Sequence, residues 1–174
     1  MKTYISLLRG INVSGQKKVN MIQLQNLYQS LGFQNIKTYI QSGNVIFQSS
    51  PPPSSQLLQQ KIKQQFGFEV PVILRSIEDW ENIIKHNPFT KEDLTKVHIV
   101  FLSETAQKYS KDELEKAKNP SEEFFIHNKE IYLYCPNGYG KTKLSNTFLE
   151  HKLNLTATTR NWNTIKNLFE LAKM

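Results

Sequence analysis

Short apolar runs alternate with helically spaced apolar residues along the first half of the chain. The pattern predicts a strand, a helix, two strands, a helix and a strand, over residues 3–9, 20–32, 35–40, 44–49, 55–67 and 69–75. The turn at 41–43 is short enough to close a hairpin, and Pro71 favours an edge position for the last strand. This β-α-β-β-α-β order is the ferredoxin-like pattern.

The second half follows a similar order less completely. After a helix capped by Ser76, the pattern predicts a strand, a helix, a hairpin and two helices, over residues 96–103, 110–118, 123–135, 143–153 and 161–174. No convincing last strand is present, and the halves share no clear residue-level repeat. We therefore expect an α+β chain of two ferredoxin-like subdomains with antiparallel sheets, 1–88 and 89–174, the second with its last strand weak or missing.

Charge is distributed unevenly between these halves. The chain of 174 residues has a net charge of +7, yet residues 1–68 contain seven bases and no Asp, Glu, His or Cys. The remaining residues carry 15 bases and 15 acids, so the whole excess lies in the N-terminal part. A positive field of this kind attracts anions. Residues 1–68 supply few groups for proton transfer, because general acid-base catalysis usually uses His, Asp or Glu.

The segment CPNGYGKTK (135–143) resembles a phosphate-binding loop, since a strand, two glycines and a Lys-Thr pair precede a helix. The signature requires glycine where Cys135 stands, and Pro136 lacks a backbone N–H. The segment also leaves an antiparallel hairpin rather than a parallel sheet. We therefore expect no P-loop, but a glycine turn that presents Lys141 and Lys143 ahead of a helix N-terminus, where anions are favoured.

Four segments together carry a family resemblance: LLRGINVSGQKKVNM, TYIQSGNVIF, NGYGKTKLSNTFLE and ATTRNWNT. In this order they resemble the bacterial domain-of-unknown-function family 1697, over nearly the whole chain. The resemblance implies two ferredoxin-like subdomains and no established activity. Family members commonly carry Gly where this chain has Ser14, and often Arg-Ser in place of Lys141-Thr142.

Polar loops at the ends of predicted elements supply the candidate ligand groups. Arg9 offers a bidentate fork for phosphate or carboxylate. Arg160 is expected at the start of the last helix, capped by Thr159 or Asn161, where a cation opposes the helix dipole unless an anion intervenes. We expect one cleft between the subdomains, lined by Arg9, Asn12, Lys17, Ser42, Asn44, Lys141, Lys143, Ser145, Thr159, Arg160 and Asn161.

The leading hypothesis is thus a binding protein for a phosphate, carboxylate or nucleotide-like ligand, with no catalytic residue assigned. One alternative is an enzyme that draws an acid or histidine from residues 69–174. Another is an RNA-binding module, which requires aromatic side chains exposed on a sheet face. The four histidines lack metal-ligand spacing, so neither metal nor cofactor is expected. Without a signal peptide, a membrane span or a disulfide, the chain is expected in the cytoplasm. Its oligomeric state has no sequence signature.

Overall fold

The computed structural model of the chain describes residues 1–108 and 110–174. They form two compact units, Met1–Glu81 with Asn167–Met174, and Asn82–Lys166. We call these the N-terminal unit and the central unit and describe each by itself. The expected division into 1–88 and 89–174 stays a prediction.

The N-terminal unit contains one four-stranded antiparallel sheet, in the order β2-β3-β1-β4, with two helices on one face. Its elements are β1 (Lys2–Leu8), α1 (Met21–Ser30), β2 (Gln34–Tyr39), β3 (Asn44–Ser49), α2 (Ser55–Phe66) and β4 (Val72–Ser76). The helix termini follow from local chemistry. Asn20 caps α1 by accepting the N–H groups of Ile22 and Gln23, and Gly67 ends α2 at φ 85°.

An aromatic core lies between the helices and the sheet of this unit. Phe47 stacks on Phe33 at 4.5 Å between ring centroids and meets Tyr28 edge-on at 5.3 Å. The Tyr28 hydroxyl is completely buried and lies 2.7 Å from Ser6 Oγ, which satisfies both polar groups. Burial raises the pKa of Tyr28 well above its usual value.

The central unit repeats the topology, with strand order β6-β7-β5-β8 and antiparallel pairing throughout. Its elements are β5 (Val97–Leu102), α4 (Ser110–Ala117), β6 (Glu123–His127), β7 (Glu130–Tyr134), α5 (Asn146–Leu153) and β8 (Ala157–Asn161). Helix α3 (Ile77–Lys85) follows β4 directly, and α6 (Trp162–Lys173) follows β8 directly. The boundaries between the units fall inside these two helices.

The expected fold class is confirmed: the chain is α+β, with two antiparallel sheets that have the ferredoxin-like strand order. The expectation of a weak or missing last strand is wrong, because β8 pairs with β5 along its whole length. The sequence of β8, ATTRN, lacks the apolar alternation of a strand. Its pairing with β5 and the burial of Ala157 and Thr158 replace that pattern.

The two units also share equivalent hydrogen bonds, although the residue types that form them differ. On the edge strand β4, the Val72 N–H donates to Gln59 Oε1 of α2 at 2.9 Å. On the edge strand β8, the Ala157 N–H donates to Glu150 Oε2 of α5 at 3.0 Å. In each unit a helix side chain thus satisfies the first outward-facing N–H of the edge strand, which protects that edge from pairing with another chain.

The junctions that follow these strands repeat as well. Ser76 and Asp79 form a reciprocal capping box, in which each side chain accepts the backbone N–H of the other residue. Asn161 Oδ1 accepts the N–H of Thr164 at 2.8 Å in the same relative position. Both α3 and α6 therefore begin at a polar cap at the end of their strand.

We find no helix in residues 1–108 and 110–174 with the length and apolarity needed to cross a bilayer.

Candidate functional site

Two loops of the N-terminal unit meet beyond the end of β1: the β1–α1 loop, residues 9–20, and the β2–β3 turn, residues 40–43. The Asn12 side chain joins them, because its Nδ2 donates to Gln41 O at 2.8 Å and to Val19 O at 3.1 Å. Its Oδ1 accepts the Val19 N–H at 2.8 Å. The expected ligand group Asn12 is therefore committed to holding the two loops together. We call the two segments the basic loop pair.

The longer loop contains a small hairpin of its own. Asn12 N–H donates to Lys17 O at 3.1 Å, and Gln16 N–H donates to Val13 O at 2.9 Å. The two residues at its tip, Ser14 and Gly15, have φ values of 51° and 75°, as a type I′ turn requires. Ser14 adopts the left-handed conformation that glycine adopts at lower cost.

Gly43 fixes how closely the turn approaches the loop. Its φ is 89°, and a Cβ placed on it would lie 2.8 Å from both Leu8 Cβ and Ile11 Cδ1. The Leu8 N–H also donates to Gly43 O at 2.8 Å. Only glycine fits this position without moving the turn.

The polar candidates of this unit divide into two groups. Lys17 is exposed, and its Nζ donates to Glu69 O at 3.0 Å. The Arg9 N–H donates to Pro71 O at 2.9 Å and its side chain is half-buried. Arg9, Lys17 and Ser42 therefore all belong to the basic loop pair. Asn44 is fully buried instead and donates to Tyr39 O and Ser42 Oγ, at 2.8 Å and 3.0 Å, so it orders the turn.

The central unit presents the glycine turn in a closed form. The N–H groups of Gly138, Lys141 and Thr142 donate to Cys135 O, Gly138 O and Tyr139 O, respectively. A P-loop must offer such amides to phosphate. Their use inside the turn, together with the antiparallel β7 that precedes it, supports the exclusion of a P-loop.

Glu122, which sequence reasoning did not single out, anchors this turn. Its buried Oε1 accepts the Asn119 N–H and the Thr142 hydroxyl, each at 3.0 Å. Asn119 Nδ2 also donates to Lys141 O at 3.1 Å. The exposed Lys141 and Lys143 side chains consequently project from a fixed backbone.

The remaining candidates of the central unit have structural partners. Ser145 caps α5 through the Phe148 N–H, at 3.2 Å. Thr159 Oγ1 donates to Asn146 Oδ1 at 2.6 Å and accepts from the Tyr139 hydroxyl at 3.2 Å. Asn146 and Tyr139 lay outside the candidate set because neither has a distinctive sequence context. Their contacts join the glycine turn, the start of α5 and β8.

Arg160 lies in β8 and not in the first turn of the last helix, so its charge is not placed against the helix dipole as expected. The guanidinium is buried, and its Nη1 donates to Thr158 Oγ1 at 2.7 Å and to Thr159 O at 3.0 Å. Asn161, rather than Thr159, accepts the N–H of Thr164 and caps α6.

Cys135 has the properties of a buried structural residue, and His98 is half-buried. Burial, followed by the charge of Glu122, raises the pKa of the Cys135 thiol to about 12, so the reactive thiolate is suppressed. His98 stacks on Tyr139 at 4.7 Å between ring centroids, and burial lowers its pKa. Within the described ranges, no three His, Cys, Asp or Glu side chains are grouped to hold a metal ion.

The structure disfavours the RNA-binding alternative. RNA-binding sheets of this topology stack bases on aromatic residues of their central strands. In the N-terminal unit the central residues Ile5, Leu7 and Ile46 are buried. In the central unit Phe101 and Tyr132 are completely buried. The sheet centres therefore offer no stacking surface within the described part of the chain.

The enzyme alternative has one acid beside the basic loop pair. Glu69 accepts from Lys17 through its main-chain oxygen, while its carboxylate is paired with Lys63 at 3.1 Å and is largely exposed. An exposed, paired carboxylate lacks the burial that tunes a general acid or base. The expected single cleft, shared by the candidates of both units, stays a prediction.

The fold and its loops thus define a class: α+β proteins with a duplicated ferredoxin-like topology and a basic loop pair in the first copy. The profile of the family described as protein of unknown function DUF1697 matches residues 1–132, and the chain belongs to this family. Among solved structures it is similar to the conserved bacterial protein SP0830 from Streptococcus pneumoniae, at 26% identity and a TM-score of 0.74, covering 98% of each chain. No curated protein matches the chain.

Proposed function

We propose that this chain binds a small anionic ligand, a phosphate, carboxylate or nucleotide-like molecule, through the basic loop pair of the N-terminal unit. The observation that carries the proposal is the meeting of two loops in a part of the sequence without acids. Arg9 and Lys17 lie on one loop and Ser42 on the other, and Asn12 joins the two backbones. The carboxylate of Glu69, whose main-chain oxygen accepts from Lys17, is paired with Lys63.

Arg9 supplies the bidentate contact in this proposal, because a guanidinium matches two oxygens of a phosphate or carboxylate. Lys17 and the exposed Lys18 add point charges, which attract the anion over a distance of about 10 Å at 0.1 M salt. Ser42 adds a hydroxyl. Asn12, Asn44 and Gly43 act as positioning residues.

Backbone conformation supports the same assignment. Asn12, Ser14 and Lys17 all have positive φ values, between 48° and 55°, within six residues of one loop. Non-glycine residues in this conformation cost free energy and cluster at ligand sites, where surrounding contacts hold them in place. Here the three side-chain hydrogen bonds of Asn12 provide that support.

Lys141 and Lys143 form a secondary candidate set in the central unit. Their side chains project from a fixed turn, but the N–H groups of Gly138, Lys141 and Thr142 are bonded inside it, and the Ser145 hydroxyl caps α5. Fewer backbone donors therefore remain for an anion, which favours weak binding. We place the activity in the cytoplasm, in agreement with a single buried, unpaired cysteine.

A thermal-shift screen of inorganic phosphate, pyrophosphate, nucleotides and small carboxylates tests the proposal. We expect a stabilising ligand whose effect is lost in Arg9→Ala and Lys17→Ala. Lys2→Ala is the matched control, because it removes one exposed cation from the other end of β1, roughly 20 Å away. If Lys2→Ala lost the stabilisation to the same extent, the effect would be due to net charge and not to the basic loop pair. A screen without any stabilising ligand would contradict the proposal.

A further inference from the structure

The edge strands of the two sheets differ in how their outer backbone groups are satisfied. Helix side chains take the first outer N–H of β4 and β8, as described above. The edge strand β2 has a register shift between Gln34 and Lys37, and Gln25 Nε2 donates to Ile36 O on it. Edge strand β6 is regular and pairs with β7 at every residue. It therefore lacks the usual protection against strand addition.

The register shows which groups of β6 face outward. Lys129 O accepts the Leu102 N–H, so the odd-numbered residues of β7 bond to β5 and its even-numbered residues bond to β6. Tyr132 therefore bonds to Phe125, and the backbone groups of Phe124 and Ile126 point away from the sheet. Among the residues that the structure describes, these outward groups bond to no other part of the chain.

The side chains along this edge are compatible with strand addition. Phe125 is 40% exposed, in contrast to the buried aromatic residues of the sheet centre. A groove of about 430 Å³ runs beside the strand, and its lining includes Phe124 and Phe125 of β6, Pro88 and Phe89, Glu115 of α4 and Lys118 just after that helix. The strand β6 thus borders an open groove.

We propose that the occupant of this edge is β6 of a second copy of the chain, paired antiparallel about a two-fold axis at Phe125. This register makes Phe124 and Ile126 a hydrogen-bonded pair, and both have their backbone groups turned outward as it requires. Phe125 then lies opposite its own copy in a position without hydrogen bonds, where side chains approach most closely. The central-unit sheets of the two copies then form one eight-stranded sheet.

Charge complementarity favours this occupant. In the same register Glu123 lies opposite His127 of the other copy, and the pair occurs twice. An imidazole N–H donates to a carboxylate, so each end of the added strand gains a polar contact. His127 is already held by His86, whose ring stacks on it at 4.2 Å between centroids. A strand of a different protein would lack this self-matching sequence.

Charge-swapped variants test the pairing through molar mass, measured by light scattering on a sizing column. We expect twice the chain mass of 20.3 kDa for the wild-type chain. Glu123→Lys places a lysine opposite His127 of the other copy, and His127→Glu places two glutamates opposite one another. Each variant alone is therefore expected at the monomer mass. Their equimolar mixture restores both complementary pairs and is expected to form a dimer.

Two further variants make the test specific. Phe125→Lys puts two cations at the two-fold axis and is expected to weaken dimerisation at least tenfold. Glu104→Lys, an exposed change outside the strand, leaves the dimer intact and controls for net charge. A monomeric wild-type chain, a mixture that stays monomeric, or a Phe125→Lys chain that remains fully dimeric would each overturn the proposal. So would capture of a basic peptide by a monomeric chain.

Discussion

Arg75 and Arg160 occupy the same position in the two units. Each lies in the last strand of its sheet, opposite Ile5 of β1 or Ile99 of β5. Each guanidinium donates from Nη1 to the carbonyl oxygen of the preceding residue, at 2.9 Å and 3.0 Å. Both side chains are buried. Their equivalence indicates a structural role, because a ligand contact particular to Arg160 has no reason to recur at Arg75.

Arg75→Ala and Arg160→Ala should therefore destabilise the chain by similar amounts. Each removes a charge-assisted hydrogen bond and leaves a partly buried carbonyl oxygen without that donor, which costs about 2 kcal/mol. Urea denaturation of both variants measures the change in unfolding free energy. If Arg160→Ala instead abolished anion binding and left stability unchanged, its original assignment as a ligand group would be restored.

Gly43→Ala is expected to lower the unfolding free energy by more than about 2 kcal/mol, because it combines a positive φ with a steric clash at Leu8 and Ile11. Gly32→Ala is the matched control: its φ is 87°, but the space around a Cβ is open. Gly32→Ala should lower the unfolding free energy by only about 1 kcal/mol, because alanine disfavours the left-handed conformation. Equal losses in the two variants would show that the close approach at Gly43 does not contribute.

Ser14→Gly should stabilise the chain by about 0.5–1 kcal/mol, since φ 51° is costly for serine and natural for glycine. Thermal and urea unfolding would measure the gain. Because the tip of the hairpin keeps its shape, anion binding by the basic loop pair should be unchanged. A loss of stability in Ser14→Gly would mean that the serine side chain contributes an interaction that outweighs its conformational cost.

The thiol of Cys135 gives a pH dependence with a defined sign. Its pKa is about 12 in the folded chain and about 8.5 when unfolded. The folded state therefore keeps a proton that the unfolded state loses, and the contribution of Cys135 to stability declines as pH rises from about 8.5 to 12. Above pH 8.5, the unfolding free energy should therefore fall less steeply with rising pH in Cys135→Ala than in the wild-type chain. Alkylation at pH 8.5 should be slow until the chain unfolds, and rapid labelling of the folded protein would contradict the assigned burial.

Much of the fold could be predicted from apolar periodicity and caps. Asn20, Gly67 and the turn before Asn44 set element ends at or near the observed residues. Strand β8 could not be predicted, because its polar sequence owes its conformation to pairing with β5. The repeat at the edge strands was equally hidden, since Gln59 and Glu150 perform one role with different chemistry.

The candidate site was likewise predicted only in part from the sequence. Polar loop residues were found from their positions at strand ends, but sequence alone does not separate a ligand group from a positioning residue. Three intramolecular bonds commit the Asn12 amide to holding the loop and the turn together, and nothing in its sequence context indicates this. Glu122 was missed because its partners, Asn119 and Thr142, are assembled only by the fold.

The most direct test of anion binding at the basic loop pair is a phosphate titration followed by backbone amide NMR of the isotopically labelled full chain. We predict saturable shifts confined to residues 9–18 and 40–44, which disappear in Arg9→Ala and persist in Lys2→Ala. Saturable shifts confined to residues 138–146, or no saturable shift with phosphate, pyrophosphate or a nucleotide, would contradict the proposed site.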